Sequence, residues 1–180
     1  MTVRVGVDID TWKVTLCAVA GRRARWESAP LRSSGHDLVD ALRQTSFAIP
    51  LAVARLGLLE ERGVEFYVER GRGMHRNADF DLGAVYGAVI VALARACPNG
   101  HVASMALSEW KKAVTAAVGM TTKRGDPGLG MVKKEVANAA CVEILADWQA
   151  IPDLLSADEL DAFGIAYAAT EREEAHAGRA

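Results

Sequence analysis

The sequence predicts an α/β domain built on a five-stranded mixed sheet flanked by helices. Three observations point there. Residues Val3 to Ile9 alternate β-branched residues with others, the period of a strand. Two more strand-like runs follow directly, Lys13 to Ala20 and Arg25 to Leu31, so that short turns would fold the three into an antiparallel meander. Two further strand-like runs, Val64 to Glu69 and Val102 to Leu107, are set apart by helical stretches, as a mixed sheet requires.

The elements can be taken in order. In the first strand Gly6 lacks the side chain that would alternate with its neighbours, so another backbone can pack closely against it. The turn Gly21-Arg22-Arg23 separates the second and third strands. Ser33-Ser34-Gly35 opens a helical region from about Asp37 to Arg62, which Pro50 is expected to break or restart. After the fourth strand, Arg70 to Ala78 is rich in glycine and arginine and reads as a loop. Asp81 to Ala96 is an apolar helix with Gly83 and Gly87 four residues apart. Helical stretches close the chain at Ser108–Val118, Val132–Trp148 and Ala157–Glu173, with a Gly/Pro loop at Gly125–Gly130.

With 180 residues the chain suits one domain, 1–180, with an acidic tail expected to fray from about Arg172. Its 51% apolar and 24% charged residues are those of a globular protein in water. Cys17, Cys97 and Cys141 are widely spaced without a metal-ligand pattern, and read as buried thiols in a reducing compartment. No apolar run reaches the ~18 residues of a membrane span, and no leader opens the chain, so a cytoplasmic location without membrane contact is expected. The net charge of −2 does not advertise nucleic-acid binding, but charge distribution matters more than its sum.

Carboxylates recur at the ends of elements. Asp8 closes the first strand, where burial is costly unless the group is paired or coordinates a cation; Asp also commonly ends a strand and opens a turn. Glu69 ends the fourth strand in the same way. Ser156 lies three residues before Glu159, a capping box that starts a helix at Ala157 and occupies Glu159 with the helix end. Asp158 and Asp161 then share one face of that helix. The dipole explains Asp158 but not Asp161, which sits beyond the first turn on a side continued by Gly164, Ile165 and Ala168.

Taken together, Val5-Gly6-Val7-Asp8, Val68-Glu69, Arg76-Asn77-Ala78-Asp79, the run Tyr86 to Val91, Leu107 to Thr115, Lys133-Lys134-Glu135-Val136 and Asp158-Glu159-Leu160-Asp161-Ala162 resemble the RuvC-like Holliday junction resolvases of the ribonuclease H-like superfamily. The resemblance spans Val3 to about Ala169. It implies a ribonuclease H-like fold and a catalytic, metal-binding quartet of Asp8, Glu69, Asp158 and Asp161. The chain departs from the family where Ile9-Asp10 replaces a usual Pro-Gly, where Arg70 to His75 replaces a wedge aromatic, and where Met120 to Met131 is lengthened. These departures bear on junction recognition more than on catalytic class. The Ala-, Arg- and Gly-rich composition suits a GC-rich bacterium or its bacteriophage.

Four carboxylates in one pocket repel unless divalent cations fill it. All-oxygen ligands suit Mg²⁺, with Mn²⁺ as a substitute, and two ions about 4 Å apart would activate a water and stabilise the leaving oxygen of a phosphodiester. In-line attack would leave a 5′-phosphate and a 3′-hydroxyl. Asp8, on the central strand, is the expected bridging ligand. DNA needs positive charge around that centre, and Arg70, Arg72, Arg76, Lys111, Lys112, Lys133 and Lys134 supply it in the sequence, with Lys123 and Arg124 nearby. Trp12, Trp26, Trp110 and Trp148 read as packing residues, and the four histidines show no ligand spacing.

The expected partner is branched DNA, above all the four-way junction, whose two-fold symmetry suits a homodimer. The Asp81–Ala96 helix is the expected dimer surface, being apolar on two sides. Two rival readings are a non-catalytic branched-DNA-binding protein of the same fold and an actin- or sugar-kinase-like phosphate-binding domain. The second needs a duplicated domain and glycine-rich nucleotide loops that the chain lacks.

Overall fold

The computed structural model describes residues 2–32, 37–70, 76–120, 132–148 and 154–177; for 76–80 and 173–177 it describes the backbone alone. β1 (Val3–Ile9) is the middle strand of a five-stranded sheet of order β3-β2-β1-β4-β5. It pairs antiparallel with β2 (Lys13–Ala20), which pairs antiparallel with β3 (Arg23–Pro30), forming the expected meander. On its other side β1 pairs parallel with β4 (Val64–Arg70), and β4 with β5 (His101–Ala106). A parallel pair needs a crossover, supplied here by α1 (Leu38–Arg55) and α2 (Arg76–Ala96).

Each face of the sheet has its own core. Val3, Val5 and Val7 of β1 and Val64, Phe66 and Val68 of β4 point to the face packed with Ile49, Val53, Val85 and Val89 of α1 and α2. The opposite face carries α3 (Leu107–Ala117), α4 (Lys134–Trp148) and α5 (Ala157–Ala177), with Trp110, Leu145 and Phe163 among its buried side chains. α5 crosses β1 at Gly6, where a Cβ would run into the Ala162 carbonyl oxygen and lie 2.7 Å from the Ala166 nitrogen. The close approach anticipated at Gly6 is therefore made by this helix. Because α5 is enclosed by the sheet, α3 and α4, every residue from Leu160 to Ala169 is buried. The three cysteines are buried and free, and no helix among the described residues is long and apolar enough to cross a membrane.

Several boundaries differ from expectation. α1 runs without a break through Pro50, and Ser46, whose carbonyl loses its helical donor there, is exposed to water. α2 begins at Arg76 rather than Asp81, so the latter part of the expected arginine loop is helix. α5 continues to Ala177, past the point at which the tail was expected to fray. The Gly125–Gly130 loop lies outside the described residues. α1 packs along α2 and leaves Tyr86 and Ile90 half-buried against the core and Leu93 fully buried. The second apolar side of α2 is thus partly covered within the chain, and Gly83, Gly87 and Val91 form its exposed stripe.

Candidate active site

Strand alternation puts the first two acids together. Val5 and Val7 face α1 and α2, so Gly6 and Asp8 face α5; Phe66 and Val68 face α1 and α2, so Tyr67 and Glu69 face α5. The parallel register that matches Gly6 to Tyr67 and Val7 to Val68 brings Asp8 and Glu69 to the same end of adjacent strands. The third element arrives by its cap. The Ser156 N–H donates to Glu159 Oε2 (2.7 Å) and the Glu159 N–H to Ser156 Oγ (3.3 Å), which starts α5 and leaves Glu159 engaged there, as expected. Asp161, beside the Ala162 contact with Gly6, is only 4% exposed.

The electrostatics register this crowding. Burial, then the charges of Asp161, Glu69 and Asp158, push Asp8 up to about 7, although Lys134 works against the rise. Burial also raises Glu69, opposed first by a hydrogen bond from Trp110. Asp161 is raised by burial, opposed by its hydrogen bond and ion pair with Lys134. Each of these carboxyls resists ionisation because its neighbours are also acids and little water reaches them.

Two ammonium groups are seated among the acids. Lys134 Nζ, at the start of α4, lies 2.7 Å from Asp161 Oδ2 and 4.0 Å from Asp158 Oδ1. Lys13 Nζ, at the start of β2, lies 2.8 Å from Asp158 Oδ2. Burial pulls the Lys134 ammonium down, but the bond and charge of Asp161 outweigh it and its pKa is raised; Lys13 is raised by its bond to Asp158. Asn138, one turn along α4, donates its amide N–H to Asp161 Oδ1 (3.0 Å) when the amide nitrogen is set toward the carboxylate. Trp110 Nε1 of α3 donates to Glu69 Oε2 (2.9 Å).

The basic residues divide. Lys112, Lys133 and Arg70 are exposed, Arg70 donating to Ser104 Oγ at 2.8 Å. Lys111 is buried, 5.5 Å from the Trp110 ring centroid, and its charge lowers Glu69 and Asp161. Lys111 thus serves the acids from within the fold, whereas Lys134 pairs with Asp161 and Asp158 while its side chain stays partly open to water. Arg76 starts α2 with only its backbone described, while Arg72, Lys123 and Arg124 lie outside the described residues. Asp10 is exposed and accepts from the Thr11 hydroxyl and the Trp12 N–H, which makes it a turn residue.

Sequence reasoning missed Lys13, Asn138 and Trp110. Trp110 was expected only to pack, and its place in the first turn after a strand is the one signal it offers. Trp12, also expected to pack, is half exposed with the Arg32 guanidinium 5.9 Å from its ring centroid. Trp26 and Trp148 do pack, against Phe163 of α5.

Among the described residues no group of three or more His, Cys, Asp or Glu stands ready to hold a metal ion. The donor chemistry nonetheless fits a hard divalent cation: the cluster offers oxygens alone, and it already accepts positive charge from Lys13 and Lys134.

No family model matches the sequence, and no curated protein sequence matches it. Solved structures do. Thermus thermophilus RuvC in complex with Holliday junction substrate superposes with a TM-score of 0.70 at 17% identity, over 97% of this chain and 96% of that one. Another Thermus thermophilus RuvC structure gives 0.69 at 20% identity, over 97% of both chains. The yeast mitochondrial Holliday junction resolvase Ydc2 gives 0.58 at 10% identity, over 97% of this chain and 81% of that one. The chain therefore has the ribonuclease H-like fold of the RuvC resolvases, as the sequence resemblance implied.

Proposed function

We propose that the protein is a metal-dependent endonuclease that resolves four-way junctions or related branched DNA. The observation that carries this reading is the convergence of Asp8, Glu69 and Asp161, with Asp158 beside them, on one end of the sheet of a RuvC-type fold. Nothing in folding calls for mutually repelling buried acids, whereas binding cations to cut a phosphodiester does.

Asp8, Glu69, Asp158 and Asp161 would hold Mg²⁺ or Mn²⁺, two ions per site. The cations, when bound, supply a nucleophilic water at neutral pH and charge stabilisation for the leaving oxygen. The chain's own residues supply the rest. Trp110 and Asn138 restrict the carboxylates of Glu69 and Asp161. Lys134 and Lys13 neutralise Asp161 and Asp158, and would be released to meet phosphate once cations take over that task. Lys112, Lys133 and Arg70 are exposed and open to backbone contacts, and Arg72 and Arg76 belong to the same proposed interface.

Junction symmetry favours a homodimer. The surface that fits is the outer side of α1 and α2, where Phe47 (73% exposed), Leu51 and Val91 are open to water. Gly83 and Gly87 have nothing within 4 Å of where a Cβ would stand, so a second helix has room to approach there.

Purified protein with Mg²⁺ on matched junction, flap, fork and linear duplex DNAs tests the function. Paired cuts leaving 5′-phosphates on junctions are expected, with Asp8→Asn, Glu69→Gln, Asp158→Asn and Asp161→Asn each abolishing cleavage but not binding. Junction binding without cleavage in Mg²⁺ or Mn²⁺ would favour the non-catalytic reading. Wild-type cleavage by Asp161→Asn would overturn the site.

A further inference from the structure

Trp110 hydrogen-bonds to one acid of the cluster and packs on the helix that carries two others. Its indole N–H donates to Glu69 Oε2 at 2.9 Å, linking α3 to the end of β4. Its ring meets α5 at Gly164, where a Cβ would stand 2.6 Å from Cε3 and 2.8 Å from Cζ3. No side chain larger than hydrogen fits between the ring and this helix, which carries Asp161 and Asp158 three and six residues before Gly164. The indole is wholly buried, and the Lys111 ammonium lies 5.5 Å from its ring centroid.

An aromatic filler alone would need neither a glycine beneath it nor an acid at its edge. An indole N–H can only donate, so its bond favours Glu69 as a carboxylate and takes one oxygen in a fixed direction. We propose that Trp110 is a positioning residue of the metal site, its N–H orienting Glu69 while its ring, seated on Gly164, sets the gap between β4 and α5, a role that rests on the nuclease reading above. It acts through Glu69 and touches neither cation nor DNA. Residues one shell out from a metal commonly change metal affinity by about 10- to 100-fold when altered.

The test is Mn²⁺ titration followed by electron paramagnetic resonance, on wild type, Trp110→Phe, and protein carrying benzothienylalanine at position 110, which keeps the bicyclic shape but replaces N–H with sulfur. Melting temperature and metal-free junction binding are measured in parallel, and Asp161→Asn serves as the control for the site. The expected result is a Mn²⁺ Kd weakened about tenfold by the sulfur analogue. Its melting temperature and metal-free junction binding stay near wild type, and the Mg²⁺ concentration for half-maximal cleavage rises in step. Trp110→Phe weakens Mn²⁺ by the same factor or more, and gives the answer from the other side if the analogue folds poorly. Wild-type Mn²⁺ affinity in either folded variant would overturn the role of the N–H while leaving the nuclease intact. A wild type that binds no Mn²⁺, or binds it equally well as Asp161→Asn, would overturn the metal site and the role of Trp110 with it.

Discussion

Lys134 Nζ lies 2.7 Å from Oδ2 of Asp161, a carboxylate almost wholly buried beneath α4. The pair joins the starts of α4 and α5 and places an ammonium where the metal reading calls for a cation. Removing one partner of a buried pair leaves the other uncompensated. Lys134→Met should therefore destabilise the metal-free protein by about 1–3 kcal/mol, less than a fully buried pair because the lysine keeps contact with water. Mn²⁺ should raise the melting temperature of this variant more than that of wild type, since no ammonium competes for Asp161. Scanning fluorimetry with and without Mn²⁺ measures both, and an equal Mn²⁺ increment in the two proteins would count against competition.

The acids also predict how stability follows pH. Asp8 rises from an ordinary 3.8 to about 7 on folding, so between these values the folded chain binds more protons than the unfolded one. Its contribution is favourable at low pH and is lost as pH climbs through that window; Glu69 and Asp161, also raised, act in the same direction. Metal-free protein should melt higher near pH 5 than near pH 8, by about 5 °C or more. Asp8→Asn should flatten that dependence and stabilise the protein at pH 8. Melts in EDTA across this range decide it, and a midpoint that rises toward pH 8 would mean Asp8 is not held protonated.

Phosphate contact is tested by salt. Lys133→Ala and Arg72→Ala should each weaken junction binding across sequences and lower the slope of log K against log salt by about one. Lys111→Ala should instead perturb the acids and the fold, because this lysine is buried. Unchanged slopes for Lys133 and Arg72 would remove both from the interface.

Dimer formation is tested at Val91. Ile90 is half-buried against the core, so a charge there would disturb the monomer itself. Val91→Glu, on the exposed stripe of α2, should convert a dimer to a folded monomer in sedimentation at micromolar concentration. A wild-type monomer of 19.2 kDa that still cuts junctions in pairs would refute the dimer.

The strand periods were enough to predict the five strands and to put Asp8 and Glu69 at strand ends, because alternation is a local property. The grouping of these acids came from the family resemblance, and their common face from the β1–β4 register. Helical spacing and the capping box likewise placed Asp161 behind a helix start. What remained hidden depends on contacts between distant elements. Trp110 and Glu69 are 41 residues apart, and an indole that packs has the same local pattern as one that also donates a hydrogen bond. Lys134 stood out as a basic residue, but its turn inward follows from where α4 crosses α5, which no period of either helix encodes. Pro50 misled for the converse reason: its local rule applies, yet the residue that loses its helical donor, Ser46, is exposed, where water can replace the missing bond and the helix runs on.

At Gly6 the middle strand and α5 meet main chain against main chain, so the spacing of Asp8 from Asp161 is a ruler made of peptide units. Side chains elsewhere on this face can be exchanged and compressed, with losses spread over neighbours that give a little. The crossing has nothing that can give. A library of random variants should therefore tolerate wide substitution in the surrounding core and show a sharp gap at position 6, where even one methyl group would move the two acids apart.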